Sequence, residues 1–231
     1  MLEQASTDQK RYQHKDEKGK PIDLPVGKVV CVGRNYMDHI EELGSKVSEI
    51  PLLFMKPSTA IVDMQKPISI PSNQGECHNE IELAVLISKT TSKVDATKAS
   101  ESVCGIALAL DLTLRDEQTR LKSAGQPWER AKSFDGSCPL SPFIIVDSLN
   151  ASDSFSFSLS INDKLVQLGN SKLMLTPILQ LLAEISQHFT LLPGDVVLTG
   201  TPKGVGPLKS GDAVTASLNE HLSVSTRVIS Q

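Results

Sequence analysis

The chain has 231 residues and a net charge of −4, so it lacks the basic surface that a phosphate backbone requires, and nucleic acid is excluded as the expected partner. Its 39% hydrophobic and 22% charged content suits a globular core, and with six Phe, two Tyr and one Trp that core has to be mainly aliphatic. No apolar window reaches bilayer-spanning length, and the N-terminal MLEQASTDQKRYQHKDEKGK lacks the apolar stretch of a secretory signal, so a cytoplasmic protein without a membrane partner is expected.

In chain order, residues 1 to about 10 read as a polar tail. Lys15 to Lys20 (KDEKGK) reads as a turn between two short strands. Lys28 to Val32 is a strand ending at Gly33, and Tyr36 to Leu43 a short helix. Leu52 to Lys56 is a strand stopped by Pro57, and Pro67 to Pro71 is extended between its prolines. Glu80 to Ile87 (EIELAVLI) and Gly105 to Leu114 (GIALALDLTL) are apolar on both faces, the pattern of strands buried in a core. Asp95 to Val103 and Arg115 to Ala124 have helical composition, the latter closed by Gly125 to Pro127. Phe155 to Ile161 alternates with period two, and Asn162-Asp163 turns it into Lys164 to Leu168. Leu173 to Phe189 is the longest helix candidate. Pro193-Gly194-Asp195 and Ser210-Gly211-Asp212 each lead into a strand. Cys31, Cys77, Cys104 and Cys138 form no C-x-x-C pair and read as reduced, packed thiols; Cys77 beside His78 is a weak zinc signal.

Three carboxylates stand out against this apolar background. Glu80 and Glu82 are two apart on an expected strand, so both leave one face, which Ala84 and Leu86 share. Asp111 falls at the end of the second apolar run, on the face of Ala107 and Ala109. Converging in an apolar setting, the three could not all stay ionised without a cation, and an all-oxygen set suits Mg²⁺, Mn²⁺ or Ca²⁺ rather than zinc. Taken one at a time, the glutamates fit the solvent face of an edge strand and Asp111 a helix N-cap. The metal reading requires all three to meet.

His39 and Glu42 are three apart on a helix, hence neighbours, and a carboxylate-held imidazole is a suitable general base. An ordinary surface pair fits the same spacing. Lys132 sits in AKSFDGSCP, where a lone lysine is usually solvated. Arg115 and Gln118 follow Asp111 by four and seven residues, which would align all three along one helical face. Gly200 to Gly206 (GTPKGVG) fails both the P-loop and the G-x-G-x-x-G patterns; its glycines let backbone N–H groups approach a carboxylate, or form a tight turn, and the turn is the simpler reading.

GRNYMDHIEE (33–42), LFMKPSTA (53–60), HNEIELAVLI (78–87), ALDLTLRDEQ (109–118), GQPWERAKSFDGSCP (125–139) and GDVVLTGTPKGVGPL (194–208) together resemble the fumarylacetoacetate hydrolase superfamily, in its short acylpyruvase branch. The resemblance covers about residues 21 to 229. It implies an α+β fold, a mixed β-sandwich roll with peripheral helices, with residues 1–20 as a polar tail and short strand and 21–231 as one catalytic domain, usually a homodimer. It implies Glu80, Glu82 and Asp111 as Mg²⁺ ligands (Mn²⁺ or Ca²⁺ as substitutes) and His39, Glu42 and Lys132 as catalytic residues. Arg34, Arg115, Gln118 and Thr201 then belong to substrate binding. The implied reaction is Mg²⁺-dependent hydrolysis of the C–C bond of acylpyruvates, with oxaloacetate decarboxylation beside it. An isomerase or tautomerase of a dicarboxylic 2-oxo acid using the same metal is the alternative, and a silent metal-binding protein a third possibility.

Overall fold

The two apolar runs build the centre of the molecule. In the computed structural model, which describes residues 12–44, 46–48 and 50–231, they form β6 (Ile81–Ile87) and β7 (Val103–Leu110), numbered in chain order and paired antiparallel from Ile81↔Leu110 to Ile87↔Val103. The tail expected over residues 1 to about 10 lies outside the described residues. Side chains of β6 and β7 alternate between two cores. Ile81, Leu83, Val85 and Ile87 join Ile106, Leu108 and Leu110 in the larger one. Ala84, Leu86, Ala107 and Ala109 face a smaller one with Val29, Cys31 and Phe143. A sheet covered on both faces is why neither run shows a polar alternation.

Around this pair an eight-stranded sheet runs β2 (Leu52–Lys56), β1 (Val29–Gly33), β13 (Val196–Leu198), β6, β7, β9 (Cys138–Leu140), β3 (Ile61–Asp63), with β10 (Ile144–Ile145) also on β7. A five-stranded sheet runs β12 (Lys164–Asn170), β11 (Ser156–Ile161), β15 (Ala213–Leu218), β16 (Leu222–Ser230), β4 (Ile68–Ile70). A small third sheet joins β14 (Gly206–Pro207), β5 (Cys77–Asn79) and β8 (Thr113–Leu114). Buried Phe157, Leu159, Val214, Ala216 and Val228 bring the five-stranded sheet onto the larger core. The helices are peripheral: α1 (Met37–Glu42), α2 (Ala96–Ser100), α3 (Arg115–Ser123), α4 (Glu129–Lys132) and α5 (Ile178–His188). The expected α+β sandwich-like roll is the observed architecture.

Two of the departures from expectation have local causes. The helix expected over Leu173–Phe189 begins only at Ile178. Pro177 caps it, and a proline disfavours helical backbone in the residue before it. Lys15–Lys20 does turn, with Asp16 Oδ1 accepting from the Lys18 and Lys20 amides, but it joins isolated bridges (Lys15↔Pro21, Asp16↔Phe143) rather than strands. All four cysteines are free. Among the described residues no helix is long and apolar enough to cross a membrane.

Candidate active site

The site lies where the chain passes from the large sheet to the small one. Glu80 falls between β5 and β6, and Asp111 just beyond β7, so neither lies within the strand expected to carry it. Beyond them the two segments pair again as β5 and β8 in the third sheet, and at the junction the Asp111 amide donates to Glu80 O at 2.8 Å. Glu82 sits on β6 opposite Ala109. One oxygen from each of Glu80, Glu82 and Asp111 lies within 4.8 Å of the others, and all three residues are buried. No zinc-type cluster forms around Cys77 and His78 among the described residues; His78 instead contacts Glu76 and Arg115.

Protein cations compensate part of this charge. Lys132, expected to be solvated if it were an ordinary lysine, is buried and donates to Glu80 Oε2 and Asp111 Oδ2, each at 2.6 Å. Arg115 Nη2 reaches Glu80 Oε1 at 2.5 Å. Burial would raise the Glu80 pKa, but Lys132 and Arg115 override it and hold the carboxyl at about 2. Burial would likewise lower Lys132, yet Asp111 and Glu80 raise it. Glu82 has no such partner: burial first, then Asp111 and Glu80, push its carboxyl well above the usual range. Its one polar contact of note is the Gly200 amide, 2.6 Å from Oε2.

Lys56, at the end of β2 and wholly buried, completes the cluster. Its Nζ forms an ion pair with Asp111 Oδ1 at 2.8 Å and donates to Lys132 O, Ser137 O and Ser137 Oγ. Apart from that ion pair, buried Asp111 Oδ1 has no hydrogen-bond partner among the described residues. That orphaned oxygen, with the uncompensated Glu82, makes an all-oxygen set that fits a hard divalent cation.

His39 and Glu42 meet on α1, Nδ1 to Oε2 at 3.3 Å, with His39 buried. The Gly204 amide donates to the other Glu42 oxygen at 2.9 Å. A carboxylate only accepts, so His39 Nδ1 carries the hydrogen and Nε2 is left as the base. The glycine loop is thus more than the tight turn that was the simpler reading: its Gly200 and Gly204 amides hold the two carboxylates Glu82 and Glu42. Gly204 has φ +100, and a Cβ there would stand 1.9 Å from Val166 O.

Arg34 follows β1 at φ +63, pinned by Asn35, whose side chain bonds Thr176 O, Thr199 O and the Thr176 amide. Gln118 accepts from Arg115 Nη1 at 2.7 Å. Asp111 precedes α3, which starts at Arg115, so the three-residue helical face expected from spacing reduces to Arg115 and Gln118. Thr201 Oγ1 accepts from Gln167 Nε2 at 2.9 Å. Gln167, from β12, also binds Asn79 and the Ile81 amide, tying the five-stranded sheet to the site.

Arg34, His39, Glu80, Glu82, Asp111, Arg115, Gln118, Lys132 and Thr201 all line one narrow cleft of about 40 Å³, with Glu42 behind His39. Phe54, Lys122 and Trp128 line it too and were not singled out in sequence; Lys132 Nζ stands 5.2 Å from the Phe54 ring centre. A more open groove of about 940 Å³, bordered by Arg120, Arg130 and Phe134, contains none of the candidate residues.

The profile described as fumarylacetoacetate (FAA) hydrolase C-terminal matches residues 28–229, nearly the whole chain. The chain belongs to the fumarylacetoacetate hydrolase family. Among similar members, oxaloacetate tautomerase YcgM of Escherichia coli K12 is 50% identical, over 94% of this chain and 100% of that protein. The human mitochondrial oxaloacetate tautomerase FAHD1 is 40% identical over 87% of this chain and 90% of its own. Fumarylpyruvate hydrolase from Pseudomonas aeruginosa, solved with Mn²⁺ and pyruvate, superposes with a TM-score of 0.88 at 32% identity, covering 96% of this chain and 97% of that one. This member of the fumarylacetoacetate hydrolase family is accordingly an enzyme whose buried acidic triad suits a divalent metal.

Proposed function

We propose that the chain is a Mg²⁺-dependent enzyme of small 2-oxo acids that interconverts the keto and enol forms of oxaloacetate. The observation that carries the reading is the opening of a three-carboxylate cation site and a carboxylate-held histidine into the same cleft. Support also comes from the two oxaloacetate tautomerases at 50% and 40% identity.

Glu80, Glu82 and Asp111 would hold the ion, which when bound would supply Lewis-acid stabilisation of negative charge on the 2-oxo oxygen. Glu42, itself fixed by the Gly204 amide, orients His39 so that Nε2 is free to accept. His39 takes a proton from C3 of the keto acid. As that C–H bond breaks, the electron pair forms the C2=C3 double bond, and the carbonyl pair moves to oxygen. The same proton returned to that oxygen gives the enol, so atoms and charge balance. Lys132, kept protonated by Glu80 and Asp111, places a fixed positive charge beside the reacting end.

A second reading, hydrolysis of an acylpyruvate, is favoured by the dyad itself and by the fumarylpyruvate hydrolase of the same fold. There His39 deprotonates water, whose oxygen adds to the distal carbonyl. Collapse of the adduct breaks the C–C bond, its electron pair passes to the pyruvate part, and the proton held by His39 is returned to C3, which releases a carboxylic acid and pyruvate.

A product-resolved assay with oxaloacetate, acetylpyruvate and fumarylpyruvate, with Mg²⁺ present and then chelated, separates the readings. Tautomerase activity gives keto–enol equilibration without release of acid or CO₂. Glu82→Gln is expected to lose both turnover and the Mg²⁺-dependent rise in Tm. His39→Ala should keep that rise and lose about a hundredfold or more in turnover. Undiminished turnover after chelation would overturn the proposal.

A further inference from the structure

Gln167 does not border the cleft, and no pattern in the sequence singles it out. It is buried on β12 and directs all of its hydrogen-bonding groups into the protein. Its Oε1 accepts from Asn79 Nδ2 at 2.8 Å and from the Ile81 backbone amide at 3.0 Å. Its Nε2 donates to Pro202 O at 2.8 Å and to Thr201 Oγ1 at 2.9 Å.

Two of these partners settle which way round the side-chain amide sits. The Ile81 N–H can only donate and the Pro202 carbonyl can only accept, so the oxygen faces β6 and the nitrogen faces the glycine loop. A flipped amide would set donor against donor at one end and acceptor against acceptor at the other. Thr201 Oγ1 therefore has a fixed role towards Gln167, that of acceptor. The hydroxyl's own hydrogen is left over. Pro202 O stands 3.5 Å from Thr201 Oγ1, well beyond the usual O–H···O range, and already receives Gln167. Thr201 itself lines the cleft beside Glu80, Glu82 and Asp111.

We infer that Gln167 is a positioning residue for the reaction and acts through Thr201. By fixing the polarity of that hydroxyl, it reserves the hydrogen for an oxygen of the bound 2-oxo acid. The inference rests on the 2-oxo acid reading above and adds to it a residue that touches no substrate. A keto acid presents only acceptors, its carboxylate and carbonyl oxygens, so a hydroxyl held ready to donate meets it without reorienting. The bond exists before the chemical step as well as during it. Its loss therefore shows in KM rather than in kcat.

Gln167→Glu keeps the shape and the oxygen that faces Ile81, but sets an acceptor against Thr201, which then turns its hydrogen inward. The substrate is whichever of oxaloacetate, acetylpyruvate and fumarylpyruvate the wild-type enzyme turns over in Mg²⁺. KM should rise about tenfold while kcat changes by less than about threefold. Thr201→Val, which removes the hydroxyl at nearly constant volume, should raise KM to a similar degree, and Thr201→Ser should recover most of that loss. The double variant should be no worse than either single one, because a hydrogen that is absent cannot be turned away. A Gln167 that only braces the fold would instead lower Tm and kcat in both backgrounds, and the two effects would multiply. An unchanged KM in Thr201→Val, or multiplying effects in the double variant, overturns the inference. Gln167→Met takes the place of Gln167→Glu in the cycle, and is read in the same way, should the charged variant not fold. Absence of wild-type turnover on all three acids overturns the parent reading, and this inference with it.

Discussion

A side-chain amine without solvent exposure needs polar partners, and Lys56 finds them in Lys132 O, both oxygens of Ser137 and the Asp111 carboxylate. Lys56→Met removes the cation at Asp111 Oδ1 and strands these acceptors. A loss of about 3–5 kcal/mol in stability is expected, the range for breaking a buried ion pair from one side. Urea unfolding should show it as a lowered midpoint with an unchanged slope. The triad was legible at this scale because Glu82 shares its strand parity with Ala84 and Leu86, and Asp111 with Ala107 and Ala109. Lys56 was not, because a lysine before a proline at the end of a strand usually reaches solvent. Its role appears only when β2, α4 and β7 come together.

Among the elements, the loop from Gly200 to Gly206 carries the most function for its length, since its amides fix Glu82 and Glu42. Gly204→Ala would force a side chain into φ +100 and onto Val166 O, at a backbone cost of about 1–3 kcal/mol. Relaxing that clash moves the Gly204 amide away from Glu42. Turnover should fall about tenfold or more while the Mg²⁺-dependent rise in Tm persists, because Gly200 and the triad are untouched; assay and melting curve on one sample check both. Sequence gave the loop's glycines but not their partners, since Glu42 lies 162 residues away. Helix α1 was readable because His39 and Glu42 are local neighbours. The start of α5 was misplaced because its apolar spacing extends back past Pro177.

Across the whole molecule, the segment around His14 packs against Phe143 and the turn at Gly194. Its ring is wholly buried between Tyr12 and Phe143, Nε2 donates to Gly194 O at 3.1 Å, and Nδ1 has no partner among the described residues. Burial lowers its pKa below the ordinary 6.5. As pH falls below that value the unfolded chain takes up a proton before the folded one. The stability is therefore fully present above about 6.5 and is lost on acidification toward the lowered folded value. Tm should decline between pH 7 and 5, and His14→Leu should flatten the decline. The two-sided burial of the large sheet was legible in the unbroken apolar runs of β6 and β7. Its strand order was not, because hydropathy reports which faces are covered and not which strand lies next to which.

That order has a consequence for how the chain is made. Strand β13, from residues 196–198, lies between β1 and β6, parallel to one and antiparallel to the other. Until it leaves the ribosome, β1 and β6 each present an open row of amides and carbonyls with no neighbour to receive them. The middle of the sheet thus closes late, and a nascent chain stopped after β12 holds two sticky half-sheets in place of one finished layer.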